Sequence, residues 1–261
     1  MDRIFDCFMF SNELDLLELR LSTLDQCVDV FVLVESPINF KGEGKPLNYL
    51  LNKERFSQWH HKIRHIVADP IKLYTPIEYS QRDLIVHGLN DTQPNDIILI
   101  GDVDEIPRPE LLVALNPRPG EMMGFDQTLY VYSVNCKQSQ VWPGTVAYRR
   151  SLGYGPQFAR FQRGEGTRIP NGGWHFSAVG SPEQILEKYQ SFNAVADSAD
   201  IRTYSEDLGF IANCKRTGTD LFGRTENYTK KEFVEIDHTF PKPMASWLVK
   251  YPQYAHYDWY P

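Results

Sequence analysis

The sequence predicts an α/β fold built around a mostly parallel sheet. Three observations carry that reading. Short apolar segments rich in β-branched residues alternate with helical periodicities over the first hundred residues. The fourth of these segments runs straight into two aspartates. After Pro109 the texture changes to dense proline, glycine and aromatic residues. Strands that alternate with helices imply parallel pairing, with helices covering both faces of the sheet.

The elements follow in order. Residues 4–10 form a short apolar strand. Ser11 or Asn12 is placed to cap the next helix, in which Leu14, Leu17, Leu21 and Leu24 recur at helical spacing. Residues 28–34 read VDVFVLV, a second strand by their β-branched content. Residues 53–60 predict a short helix, 63–68 a third strand, 80–89 a helix and 97–100 a fourth strand. Beyond Pro109 strand segments are expected at 122–125, 129–134 and 146–149, a glycine-rich stretch at 164–173, and helices at 182–192 and 244–251. With no internal repeat or low-complexity linker, the expectation is one domain over 1–261 with two functional halves, 1–107 and 108–261.

Composition narrows the function classes. A chain of 261 residues with 42% hydrophobic content can bury one large core, or one core with a smaller lobe. A formal net charge of -7 disfavours non-specific binding to nucleic acid or to a membrane surface. Cys7, Cys27, Cys136 and Cys214 form no C-x-x-C pair and no zinc spacing, so they read as thiols in a reducing compartment. The opening MDRIFDCFMFSNELD reads as neither a signal peptide nor a membrane anchor, and the expected location is the cytoplasm. On that expectation the sequons at Asn90-Asp91-Thr92 and Asn227-Tyr228-Thr229 are chance matches.

The stretch ILIGDVDEIP, residues 98–107, carries the chemistry. In open α/β sheets ligands bind outside the carboxyl ends of the strands, and Asp102 and Asp104 follow such a strand by one glycine. Gly101 is expected to let the backbone turn there. Two like charges at one strand end suit a hard divalent cation, Mn²⁺ or Mg²⁺, which takes oxygen ligands and bridges to a diphosphate. The plain alternative is a turn with two exposed aspartates. Two enzyme classes use a D-x-D at a strand end. Phosphohydrolases place it after their first strand, whereas nucleotide-sugar transferases of the GT-A type place it after a nucleotide-binding β/α half, as here.

Longer stretches carry a resemblance. NELDLLELRLSTLDQCVDVFVLVES (12–36), KPLNY (45–49), Arg82, DVDEIP (102–107), GGWHFSAVGSPEQILEKYQSF (172–192) and KRTGTDLFGR (215–224) occur in an order that resembles glycosyltransferase family 17. The resemblance implies a GT-A, Rossmann-like fold, a nucleotide-sugar donor, a divalent metal, inversion at the anomeric carbon and a glycan acceptor. UDP-N-acetylglucosamine is the donor it suggests, with residues 1–107 as the nucleotide-binding half and 108–261 as the acceptor half. Two departures stand out. Relatives often carry a His and a Glu just after the Ser191-Phe192 pair, where this chain has Ala194 and Ala196. The vertebrate member also has a membrane anchor, and none is read here.

Candidate roles follow, each beside its plainer alternative. Asn12 and Glu13 lie past the first strand, where a GT-A fold places part of the nucleotide site; otherwise they begin a helix. Glu35 ends the second strand and can accept from ribose hydroxyls or uracil N–H, or be a solvated strand end. Arg82 offers a planar fork to a diphosphate, or a surface ion pair. Trp174 and His175 follow two glycines; the indole offers a face for a sugar ring, and the imidazole a place near the metal or in the core. The reaction needs a base for the acceptor hydroxyl. Glu183, near a helix start in GSPEQIL, is the first candidate, with Glu206 and Asp207 as rivals; the alternative is Ser181 as N-cap, Pro182 at N1 and Glu183 facing the dipole. A binding protein that kept the fold without turnover, and a D-x-D phosphohydrolase, are the competing functions.

Overall fold

A computed structural model describes residues 2–191, 206–224 and 230–256. The chain forms two compact units, one of Met1–Gln127 with Pro143–Gly173 and one of Thr128–Trp142 with Trp174–Pro261. It passes from one to the other three times.

The first unit contains β1 (Ile4–Phe10), α1 (Leu14–Leu24), β2 (Val30–Glu35), α2 (Asn48–Asn52), β3 (Ile63–Val67), α3 (Ile77–Asp83), β4 (Ile97–Asp102), β5 (Glu105–Pro107), α4 (Pro109–Val113) and α5 (Pro156–Phe161). Three long strands, β6 (Met122–Tyr132), β7 (Cys136–Arg149) and β8 (Thr167–Val179), run through the crossing points. The helix expected at 53–60 is a 3-10 segment, and the one at 80–89 divides into α3 and a 3-10 turn over Leu84–Gly88.

Within this unit the strands lie in the order β3-β2-β1-β4-β7. β1 pairs in parallel with β2 and β4, β2 pairs in parallel with β3, and β7 pairs antiparallel with β4, from where the order continues β6-β8-β5. The expected α/β architecture with a mostly parallel sheet is what these pairings form. Alternation along each strand explains the burial. Phe5, Cys7, Val30, Val32, Val34, Ile98, Ile100, Val146 and Tyr148 share one apolar cluster with Ile85, Leu89 and Ala159, as a period of two requires when one sheet face meets helices. The face of β1 that carries Asp6 and Phe8 receives Arg20 from α1.

The register places the functional edge. Phe10 lies opposite Glu35, and Met9 opposite Asp102, so β1, β2 and β4 end at one level. Gly101 does not turn the chain, contrary to the sequence expectation. It is paired with Phe8 inside β4, and the turn falls on Val103 and Asp104. What Gly101 supplies is room, since a Cβ there would lie 2.8 Å from Thr145 Oγ1 and 3.3 Å from Glu105 Oε2.

The second unit holds the remaining parts of β6, β7 and β8 with α6 (Pro182–Ser191), α7 (Leu208–Thr217), β9 (Lys231–Phe233) and α8 (Met244–Lys250). β9 pairs antiparallel with β7. Leu129, Val131, Tyr132, Cys136, Ile185, Ile211, Cys214 and Leu221 form its core. All four cysteines are thiols. No described helix is long and apolar enough to cross a membrane.

Candidate active site

The site is built at the end of β4, where an apolar strand delivers three carboxylates within four residues: Asp102, Asp104 and Glu105. Such a run is stable only if cations meet it. Two arginines do. Arg160 of α5 grips Glu105 end-on, Nη1 to Oε2 and Nη2 to Oε1 at 2.6 Å each, and its Nη2 also donates to Asp102 Oδ2 at 2.7 Å. Arg82 of α3 donates from Nη2 to Asp102 Oδ1 at 3.0 Å and to Glu78 at 2.8 Å, and from Nη1 to Gln157 Oε1 at 2.5 Å. Glu105 Oε2 also accepts the Asp102 backbone N–H at 3.1 Å, which closes the turn.

The two helices present these groups by spacing. Glu78 and Arg82 are four residues apart on α3, and Gln157 and Arg160 three apart on α5, so each pair shares a helix face. The helices are tied to one another where Asp83 accepts the Gln157 N–H at 3.0 Å and where the rings of Tyr79 and Phe161 meet edge to face at 5.2 Å.

Electrostatics follow from burial and pairing. Glu105, Arg82 and Arg160 are buried, while a third of the Asp102 side chain faces solvent. Burial alone raises the Asp102 carboxyl; Arg160 and Arg82 more than reverse it and hold it down at about 2. Burial likewise opposes the charge on Arg160, and Asp102 and Glu105 overcome it, so this guanidinium is held above its ordinary value. Asp102 therefore stays ionised, each oxygen bonded to one guanidinium and each with a second lone pair to offer. Asp104 is buried in the turn. Among the described residues no three His, Cys, Asp or Glu side chains converge on one point, so the side chains form no complete metal cage there.

The other sequence candidates are placed as follows. Glu13 is the N-cap of α1, in the place expected for Ser11 or Asn12, and its carboxylate turns back to accept the Ser11 and Asn12 N–H groups at 3.2 and 3.1 Å. Asn12 is half-buried beside it. Glu35 is fully buried; it accepts the Tyr49 and Leu50 N–H groups at the start of α2 and meets His65 Nε2 at 3.1 Å. Arg82 and Asp102 are thus brought into contact, and Asn12, Glu13 and Glu35 share their sheet edge.

Trp174, His175 and Glu183 belong to the second unit. Trp174 is 2% exposed and donates its indole N–H to the Thr239 carbonyl. His175 is buried with its ring 4.8 Å from that of Trp142. Glu183 is exposed. Ser181 and Gln184 form a capping box, Ser181 N–H to Gln184 Oε1 at 2.8 Å and Gln184 N–H to Ser181 Oγ at 3.3 Å, and the Ser181 hydroxyl donates to Glu183 at 2.7 Å. That hydroxyl and a backbone N–H hold the Glu183 carboxyl below its ordinary value. Asp207 caps α7, and Glu206 is exposed next to it. Ala194, Ala196 and the sequon at 227–229 lie outside the described residues.

Sequence reasoning missed Arg20, Glu105, Gln157 and Arg160. A signal existed for Arg20, which stands three residues from Leu17 and four from Leu24 and so interrupts the apolar stripe of α1. One existed for Glu105 in the density of acids after an apolar strand. Arg160 gave none, because the helix that carries it is only six residues long.

Known proteins share features with this chain. The beta-1,4-mannosyl-glycoprotein 4-beta-N-acetylglucosaminyltransferases of Rattus norvegicus and Homo sapiens are each 25% identical over 270 residues, covering 87% of this chain and 49% and 50% of theirs. The chain spans about half the length of the curated relatives it matches. Among solved structures, 4-diphosphocytidyl-2C-methyl-D-erythritol synthase aligns with a TM-score of 0.39 at 13% identity, over 66% of this chain and 90% of that one. Glucosyl-3-phosphoglycerate synthase from Mycobacterium tuberculosis, solved with Mn²⁺, UDP and phosphoglyceric acid, gives 0.36 at 13% identity, over 66% and 69%. Galactosyltransferase LgtC with donor and acceptor sugar analogs gives 0.36 at 11% identity, over 74% and 66%. At these scores the likenesses say nothing of chemistry. The profile of glycosyltransferase family 17, in contrast, matches residues 1–257, and the chain belongs to that family.

Proposed function

We propose that this protein transfers a sugar from a nucleotide-sugar donor to a glycan acceptor, with inversion at the anomeric carbon and with Mn²⁺ or Mg²⁺ at the donor diphosphate. N-acetylglucosamine from UDP-N-acetylglucosamine is the sugar, the choice that the names of the relatives favour. The observation that carries the reading is Asp102, an ionised and partly exposed carboxylate fixed by two buried arginines where the parallel strands end. That edge is where α/β sheets bind their ligands.

The donor set fits a hard cation shared with substrate. Such an ion is commonly held by one or two carboxylates, with phosphate oxygens and water completing its shell, and Asp102 and Asp104 are the carboxylates that would hold it. When bound, the ion supplies Lewis-acid stabilisation of the charge that develops on the leaving diphosphate. Arg82 provides a planar cation beside Asp102 that favours the diphosphate. At the ends of β1 and β2 we assign Asn12 to the donor, with Glu13 and Glu35 shaping the edge through the N–H groups they accept. Glu183 receives the proton of the acceptor hydroxyl, a task for a carboxylate that is ionised at neutral pH. Trp174 and His175 support that part of the protein from within its core.

A panel of nucleotide sugars with Mn²⁺, scored for nucleotide release with and without glycan acceptors, tests the reading. Acceptor-dependent release from UDP-N-acetylglucosamine is expected. No release from any donor would remove transferase activity from this chain.

A further inference from the structure

The buried guanidinium of Arg20 has no place in the chemistry above, yet it is one of the most completely bonded groups in the protein. It is fully buried, as is its partner Asp6. Asp6 takes the Nε and Nη2 sides at 2.8 and 2.6 Å. The ring of Phe8 lies against the guanidinium, 4.6 Å from ring centre to Cζ. That leaves Nη1, which donates to three backbone carbonyls of one turn: Asp102 at 2.9 Å, Val103 at 3.3 Å and Glu105 at 2.7 Å.

We propose that Arg20 is the positioning residue of the Asp102–Glu105 turn, and that the buried Asp6–Arg20 pair exists to aim the two aspartates rather than to hold the core. The inference rests on the donor site proposed above.

Three carbonyl oxygens that converge on one point repel each other and, once buried, need donors. Two N–H groups on one planar nitrogen meet that need; an ammonium of Lys held at Asp6 reaches fewer of them, and an apolar side chain reaches none. Core stability gives no reason to keep the pair, because a buried ion pair is often replaced by well-packed apolar residues at no loss. Asp6 fixes the tilt of the fork, and the fork fixes the turn. From the other side Arg160 fixes the carboxylates of Asp102 and Glu105. Of the arginines that meet the turn, Arg82 and Arg160 hold its carboxylates and Arg20 holds its backbone, where Thr145 Oγ1 adds one bond to the Glu105 carbonyl at 3.2 Å.

Three variants test this: Arg20→Lys, Arg20→Met, and the double variant Asp6→Leu/Arg20→Met, which leaves no lone buried charge. Each is measured for thermal midpoint, for amide hydrogen exchange over residues 98–107, and for UDP affinity in the presence of Mn²⁺. The expected result is that the double variant melts higher than Arg20→Met, while both it and Arg20→Lys exchange faster in the turn and bind UDP at least tenfold more weakly than the parent. Parental exchange and affinity in either variant overturns the inference. So does failure of both to fold, since the pair would then serve the core. If the parent binds no UDP and the turn still loosens in the variants, the positioning role stands and the donor reading falls.

Discussion

Arg160 Nη2 lies 2.7 Å from Asp102 Oδ2, across 58 residues of sequence, while the same guanidinium holds Glu105 with both of its terminal nitrogens. Asp102 is therefore oriented by α5, a helix made long after the strand that carries the aspartate. The geometry of the D-V-D-E turn depends on the placement of that helix, and several outcomes can be checked against it.

The proposed cation requires Asp104. Asp104→Asn keeps the size of the side chain and removes one charge, so turnover should fall by about two orders of magnitude or more while the far-ultraviolet spectrum is unchanged, the scale of losing one strong electrostatic contact in a transition state. EDTA should abolish activity in the parent and Mn²⁺ should restore it. Activity that persists in EDTA excludes the assignment.

Arg82 is tested by a change that keeps its charge. Arg82→Lys retains a cation near Asp102 but loses the fork that reaches Glu78, Gln157 and Asp102 together. Nucleoside-diphosphate affinity should weaken about tenfold in calorimetry, the loss of one charge-assisted bond. Unchanged affinity would confine Arg82 to holding Asp102.

Glu183→Gln separates a base from a helix-start acid. Nucleotide and metal affinity should stay near the parent, and transfer should slow by about 10²–10⁴-fold. Because the Ser181 hydroxyl and a backbone N–H lower the Glu183 carboxyl, the group is ionised through neutral and mildly acidic pH. The rate should therefore hold as pH falls and be lost only below the ordinary glutamate range. A near-parental rate moves the base to Glu206 or Asp207.

Asp102 has a pH signature of its own. Its carboxyl titrates at about 2 in the fold against 3.8 as the ordinary value, so its ionisation stabilises the fold above pH 3.8 and that contribution is lost as pH falls from there toward 2. In EDTA, thermal or denaturant unfolding of the parent should lose roughly 1–2 kcal/mol over that window, a figure reduced for the partial exposure of the group. Asp102→Asn should lose less over the same window by that amount.

Gly101→Ala should destabilise the protein by about 1–3 kcal/mol, the usual penalty for overpacking, because the new methyl meets Thr145 Oγ1 and Glu105 Oε2. Thr145→Ala removes the nearer atom. The pair of changes should recover part of the loss in a denaturant titration.

The parallel half of the fold was legible because its strands are continuous apolar runs; β1 occupies the span that the sequence marks. β4 extends two residues further than its apolar stretch, since Gly101 and Asp102 pair with Phe8 and Met9 by backbone alone. β8 was hidden in a glycine-rich stretch. Its glycines are demanded by close approach: a Cβ at Gly172 would lie 2.8 Å from Phe125 Cβ, and one at Gly173 2.2 Å from the Ile106 carbonyl oxygen. Packing overrode the low strand propensity of glycine there. Of the site, Asp102 and Asp104 could be named from local pattern, and Arg82 from the family resemblance. Arg160 could not, because its partners are set by long-range topology.

The order in which the sheet is completed bears on how the protein is made. β1 to β4 are all encoded before residue 103, whereas the strand that pairs with β4, residues 146–149 of β7, comes more than forty residues later. During synthesis, then, a four-stranded parallel sheet can assemble with β4 as an open border of unsatisfied N–H and C=O groups, the kind of border that recruits a neighbouring chain. A nascent chain that has emerged as far as Pro107 would present that border with Asp102 met by Arg82 alone and with Glu105 still lacking Arg160, which has not yet emerged. Charged side chains at an open strand are a general guard against pairing with a second copy, and Asp102, Asp104 and Glu105 stand at the rim of that border.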